Sequence, residues 1–169
     1  MRSLLISPHA DDESLFCAFT ILRERPHVLV LFGESDQRAM ESQRAMEILG
    51  ASDFVARAET IPNEPAVAAT LYSWNRTGIY DRVYAPAIEE NGHPHHNFVG
   101  RIADEVFGDK VIHYMTYTRA GKSTGTPVPF EPEWPALKLR ALAEYKSQLR
   151  QANQVEHFIG RSLYEYYQQ

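Results

Sequence analysis

The sequence predicts an α/β fold with a mostly parallel sheet, and three observations carry that prediction. Short apolar runs alternate with helix-patterned segments from Arg2 to Thr118, which is the signature of successive βαβ units. One run, His27-Val28-Leu29-Val30-Leu31-Phe32, is apolar without alternation, as a strand buried on both faces of a sheet must be. The breakers Pro26, Gly33, Gly50 and Pro86 fall between these segments rather than inside them.

In order, Arg2 to Ser7 reads as the first strand. Glu13 to Glu24 reads as a helix, with Leu15, Phe16, Phe19 and Leu22 at helical spacing, and Pro26 ends it. His27 to Phe32 is the second strand, closed by Gly33. Asp36 to Leu49 is a helix rich in Ala, Met, Glu and Arg, with Gly50 as its C-cap. Asp53 to Ala56 is a short third strand and Pro65 to Trp74 a helix. Arg82 to Ala85 is the fourth strand, Asn97 to Phe107 a helix, and Val111 to Thr118 the fifth strand. Arg119 to Pro135, with its glycines and prolines, reads as a loop. Helices from about Glu133 to Gln151 and from Asn153 to Tyr166 then pack back on the sheet, and the aromatic tail Tyr164 to Tyr167 reads as packing. The expectation is a three-layer, Rossmann-like sandwich forming one domain over residues 1–169.

Composition narrows the function classes. Of 169 residues, 44% are hydrophobic and 23% charged, ordinary for a globular protein with a substantial core. A net charge of −5 gives no basic footprint for nucleic acid. The single cysteine, Cys17, excludes an intrachain disulfide framework, and a cytoplasmic location is expected. No stretch reaches the length of a membrane span, and the N-terminus lacks a signal-peptide pattern.

The chemistry concentrates in two loops. Ser7-Pro8-His9-Ala10-Asp11-Asp12-Glu13 places one imidazole and three carboxylates in a strand-to-helix turn. Converging acids repel and lose solvation, and a divalent cation reverses that penalty. His9 and Asp12 are close enough in sequence to reach one ion. The competing reading makes Asp11, Asp12 and Glu13 simple helix caps. The second loop, Gly92-His93-Pro94-His95-His96-Asn97, holds three of the seven histidines. Both loops follow predicted strands, and ligand sites of parallel sheets lie beyond the strands' carboxyl ends. Two histidines and one carboxylate leave a coordination position open, the catalytic rather than the structural zinc pattern.

Pro8-His9-Ala10-Asp11-Asp12-Glu13 resembles the Pro-His-Pro-Asp-Asp-Glu signature of the PIG-L/LmbE-type zinc deacetylases, which act on N-acetylglucosamine derivatives. His93-Pro94-His95-His96 is similar to that family's His-Pro-Asp-His. Gly33-Glu34, the Arg38, Glu41, Ala45, Leu49 and Gly50 pattern, and Ser147-Gln148 resemble its remaining motifs in order. The resemblance implies His9, Asp12 and His96 as zinc ligands and Asp11 as general base. It implies His93 as the group that polarises the carbonyl or protonates the leaving amine, and Arg38 as a substrate contact. Iron, cobalt or manganese suits the same ligands. The implied partner is a small N-acetylated amino sugar or conjugate, with self-assembly left open. Three positions depart from the family: Ala10 for proline, Ala18-Phe19 for a Gly-Gly pair, and His95 for the aspartate thought to orient the neighbouring histidine. The last predicts a His93 that loses its proton at lower pH. The alternatives are another metal-dependent amide or phosphoester hydrolase and a noncatalytic sugar- or nucleotide-binding module.

Overall fold

A computed structural model describes residues 1–33, 35–57, 63–118, 121–150 and 164–168. The chain opens with β1 (Ser3–His9), α1 (Asp12–Glu24), β2 (His27–Phe32), α2 (Asp36–Leu49) and β3 (Asp53–Ala56). It then returns through α3 (Glu64–Asn75) to β4 (Arg82–Pro86), α4 (Pro94–Phe107), a 3₁₀ turn (Gly108–Lys110) and β5 (Val111–Tyr114). A hairpin of β6 (Tyr117–Thr118) and β7 (Gly121–Lys122) follows, then β8 (Thr126–Pro127), α5 (Trp134–Leu142), α6 (Lys146–Leu149) and β9 (Tyr166–Tyr167).

The main sheet has the order β3-β2-β1-β4-β5-β9-β8 among the described residues. Its first five strands are parallel, and β9 runs antiparallel to both β5 and β8. Pleating sends alternate side chains to opposite layers. Leu5, Val28 and Val30 join Phe16 and Ile21 of α1, Met46 and Leu49 of α2 and Leu142 of α5 in one core. Leu4, Ile6, Leu29 and Leu31 join Val67 and Leu71 of α3 and Val99, Ile102 and Val106 of α4 in the other. The result is an α/β/α three-layer sandwich, as expected from the sequence.

The order positions the site. The chain builds from β1 outward to β3, then crosses back to lay β4 on the other side of β1. Adjacent strands whose connections leave in opposite directions open a crevice at their carboxyl ends. The His9 turn and the loop after β4 both lie there. Two close approaches hold the crevice walls. A Cβ at Gly33 would lie 2.5 Å from the Arg57 carbonyl oxygen, and one at Gly100 of α4 would lie 2.5 Å from that of Pro86. Only glycine admits either contact.

Four boundaries differ from the sequence reading. The helix expected from Asn97 starts at Pro94, because Pro94 suits the first helical position and His93 serves as N-cap. The fifth strand ends at Tyr114, and Tyr117–Thr118 turns out of the main sheet to pair with Gly121–Lys122. The helix expected over 133–151 breaks at 143–145, where buried Tyr145 turns its hydroxyl to Glu13 and Ser147 bonds Glu41. Tyr166 and Tyr167 form a strand rather than a helix end. Most of the helix expected over 153–166 lies outside the described residues.

Candidate functional site

Asp11, Asp12 and Glu13 are all buried, and none is a simple cap. Asp11 stands at the N-cap position of α1 with no side-chain cap bond. Its Oδ2 instead accepts from Arg38 Nη2 at 2.9 Å, and the same nitrogen donates to the Ala10 carbonyl at 3.1 Å. Asp12 Oδ2 is the meeting point of the site. It lies 2.9 Å from His9 Nδ1 and 3.0 Å from His96 Nε2, and accepts the His9 backbone N–H at 3.1 Å. Glu13 is the structural member. Its Oε2 accepts from Ser7 Oγ at 3.0 Å and the Asp11 backbone N–H at 3.1 Å. Its Oε1 accepts from Tyr145 at 2.6 Å and from Ser42. One carboxylate thus ties the turn to α2 and to the chain after α5.

The second loop supplies the histidines. Pro94 starts α4, so His96 falls in its first turn, buried at 1% exposure against Asp12. His96 Nδ1 lies 3.1 Å from Thr116 Oγ1, a partner that fixes the ring orientation. His93 Nδ1 accepts the backbone N–H of His95 at 3.2 Å. Its proton therefore sits on Nε2, the tautomer that can donate outward. The loop itself is clamped by Asn97, whose side chain donates to the Glu89 carbonyl at 2.7 Å and accepts the Glu89 N–H at 3.0 Å.

The electrostatics sort the groups. Burial works against ionising Asp12, but the His96 and His9 imidazoles and their hydrogen bonds hold it well below the usual carboxylate range. Burial, then the Asp12 charge, pushes Asp11 well above that range, with Arg38 pulling the other way. Burial, followed by His96 and His9, lowers His93 to about 4. His93 is thus a neutral imidazole near pH 7. The downward direction matches the sequence expectation, but the cause does not centre on position 95. The His95 ring turns to His9, with Nδ1 2.8 Å from His9 Nε2.

His9, Asp12 and His96 form a group that can hold a metal ion, their donor atoms lying within 4.8 Å of one another. Two imidazole nitrogens converging on one buried carboxylate oxygen fit a divalent transition metal, in a donor set with positions left open. All six sequence-predicted site residues, His9, Asp11, Asp12, Arg38, His93 and His96, come together at the crevice. Arg38 faces Asp11 in this structure. A cavity of about 380 Å³ opens beside His93, lined by Asn91, Gly92, Pro94, Tyr117 and Thr118. Sequence reasoning missed Tyr117, Thr116, Ser42 and Tyr145. Thr116 and Tyr117 carry no motif, and Ser42 and Tyr145 reach Glu13 from distant elements.

No protein-family model matches the sequence, and no curated protein matches it significantly. Solved structures do. GalB, the 4-carboxy-2-hydroxymuconate hydratase from Pseudomonas putida KT2440, matches with TM-score 0.72 and 16% identity, over 99% of this chain and 95% of that one. N,N'-diacetylchitobiose deacetylase from Pyrococcus horikoshii, complexed with its inhibitor MPG, matches with TM-score 0.71 and 18% identity, over 99% and 82%. The conserved protein TT1542 from Thermus thermophilus matches with TM-score 0.59 and 18% identity, over 100% and 94%. A strand order that opens its crevice between β1 and β4, and the breadth of these matches, lead to one conclusion: the chain has the PIG-L/LmbE-type fold.

Proposed function

We propose that this protein is a metal-dependent N-deacetylase that hydrolyses the acetamide of an N-acetylglucosamine-type amino sugar or a related N-acetylated small molecule. The observation that carries the reading is the convergence of His9 Nδ1 and His96 Nε2 on Asp12 Oδ2, with the Asp11 carboxylate in the adjacent position. His9, Asp12 and His96 would hold the ion, Zn2+ or another divalent transition metal. Such an ion supplies Lewis-acid chemistry, lowering the pKa of water from ~16 toward about 7 and polarising the acetyl carbonyl.

The chain's own residues do the rest. Asp11, its pKa raised by burial, takes the proton from the attacking water and passes it to the departing amine nitrogen. Arg38 fixes the direction of the Asp11 carboxylate through its 2.9 Å bond. His93, neutral and carrying its proton on Nε2, donates to the carbonyl oxygen as negative charge develops there. That assigns His93 the polarising role rather than the acid role. Tyr117 and Pro94 wall the cavity in which the acyl group or sugar sits. The products are acetate and a free amine. The diacetylchitobiose deacetylase of the same fold supports this reaction class.

The test is acetate release from a panel of N-acetylated amino sugars with metal-loaded protein. Metal-dependent release that falls by about 10²–10⁴-fold in Asp11→Asn, with metal content unchanged, supports the reading. No acetate from any member of the panel refutes it.

A further inference from the structure

His9 presents its two ring nitrogens to two different sets of donors. Nδ1 faces Asp12 at 2.9 Å, on the side shared with His96. Nε2 faces the ring of His95, with His95 Nδ1 at 2.8 Å. His93 completes this second set. One nitrogen each from His9, His93 and His95 lies within 4.8 Å of the others. The ring centroids are 5.1 Å apart for His9–His93, 5.1 Å for His9–His95 and 4.9 Å for His93–His95. The His93 ring stands nearly perpendicular to both others, at 88° and 85°, so the contacts run edge to face rather than as a stack. All three side chains are half-buried, and His93 lines the cavity.

We propose that His9, His93 and His95 form a second divalent transition-metal position beside the first, and that filling it inhibits the enzyme. His93, His95 and the Nε2 side of His9 make a full facial set of three nitrogen ligands for Zn2+, Cu2+ or Ni2+. The set contains no carboxylate, and His9 must give up its ring proton to join it while Nδ1 serves the set built on Asp12, so this position fills second. His93 must also release the 3.2 Å bond it accepts from the His95 N–H if that nitrogen is used, which weakens binding further. When both positions are filled, His9 ligates through both nitrogens, and its remaining ring proton leaves to solvent. His93 held by an ion no longer donates to a substrate carbonyl. Only this last consequence rests on the deacetylase reading. The position itself depends on histidine at 95.

The experiment is equilibrium dialysis of metal-stripped protein against Zn2+, with bound metal measured by elemental analysis. Wild type is compared with His96→Ala, His95→Phe and His95→Ala, and with His95→Phe and His95→Ala each combined with His96→Ala. The expected result is that His96→Ala retains an equivalent that both double variants lose, and that each single His95 variant binds one equivalent fewer than wild type. Equal stoichiometry in wild type and either His95 variant overturns the proposal. So does a His96→Ala protein that binds no metal, which would make His95 a support for the first ion only. Cu2+ bound to His96→Ala gives an independent view by electron paramagnetic resonance. A spectrum with three nitrogen donors is expected, and an oxygen-dominated one counts against the position. In the acetate assay, activity rises through the first equivalent of wild type and falls through the second. Absence of acetate at every metal loading would end the deacetylase reading while leaving the stoichiometry to decide the second position.

Discussion

Arg38 is the residue for which two roles can be told apart by experiment. The family resemblance implies a substrate contact, whereas its guanidinium lies 2.9 Å from Asp11 Oδ2 with both side chains largely covered. The two roles predict different kinetics. In the proposed reaction Asp11 acts as a base only when deprotonated, so activity would fall as pH drops through its pKa. Arg38 holds that pKa down against burial and the Asp12 charge. Removing the cation raises the Asp11 pKa further, so the acid limb of kcat/KM in Arg38→Gln moves to higher pH. A substrate contact alone would raise KM and leave the limb in place; paired pH profiles decide between them. The basic side differs too. His93 is neutral above about pH 4, so it does not supply the basic limb that a protonated catalytic histidine would. The grouping of His9, Asp12 and His96 was legible because they sit in short motifs at strand ends. Glu13 was legible as an acid but not as the anchor of the turn. Its partner Tyr145 is 132 positions away, and no local spacing announces such a bond.

At the scale of elements, the site depends on how α4 is laid on β4. Pro94 and the His93 cap set the helix start, and Gly100 sets its distance from the sheet. Gly100→Ala would bring a methyl group to 2.5 Å from the Pro86 carbonyl, a backbone atom that cannot turn aside. The helix must shift, carrying His93 and His96 away from Asp12. We expect a loss of about 1–3 kcal/mol in urea unfolding, the usual cost of overpacking, together with weaker metal affinity. A change in stability with metal affinity intact would show that α4 is free to adjust without moving its first turn. The helix itself was plain in the sequence from its spaced Val99, Ile102, Ala103 and Val106. Its start was not, because the prolines and histidines before Asn97 read equally as loop. The split of the fifth strand was also hidden, since Val111 to Thr118 has strand-like composition throughout and only pairing shows where the sheet lets go.

For the molecule as a whole, a buried ion pair joins the site helix to the end of the described chain. Lys138 of α5 is 1% exposed and donates to Glu165 at 2.8 Å and to the Leu15 carbonyl at 2.8 Å. Both Glu165 oxygens lie 3.0 Å from the Phe19 backbone N–H. The pair therefore sits astride one helical step of α1, the step between Leu15 and Phe19. Lys138→Met leaves Glu165 buried and uncompensated, so a loss of about 3–5 kcal/mol is expected in denaturant unfolding. Lys138→Met with Glu165→Gln should recover part of it, and a double variant as unstable as the single one would locate the energy in packing instead. Nothing in the sequence marks Lys138 as interior, since lysine is rarely fully buried. The consequence is one of timing. The turn bearing His9, Asp11 and Asp12 is synthesised long before its helix is fully fastened, because the step between Leu15 and Phe19 waits for an acid 146 residues beyond Phe19. At about 5–20 residues per second, that interval is roughly 7–30 s. The site helix thus leaves the ribosome with this step unlocked, and its last polar contacts close only after every parallel strand of the sheet has been made.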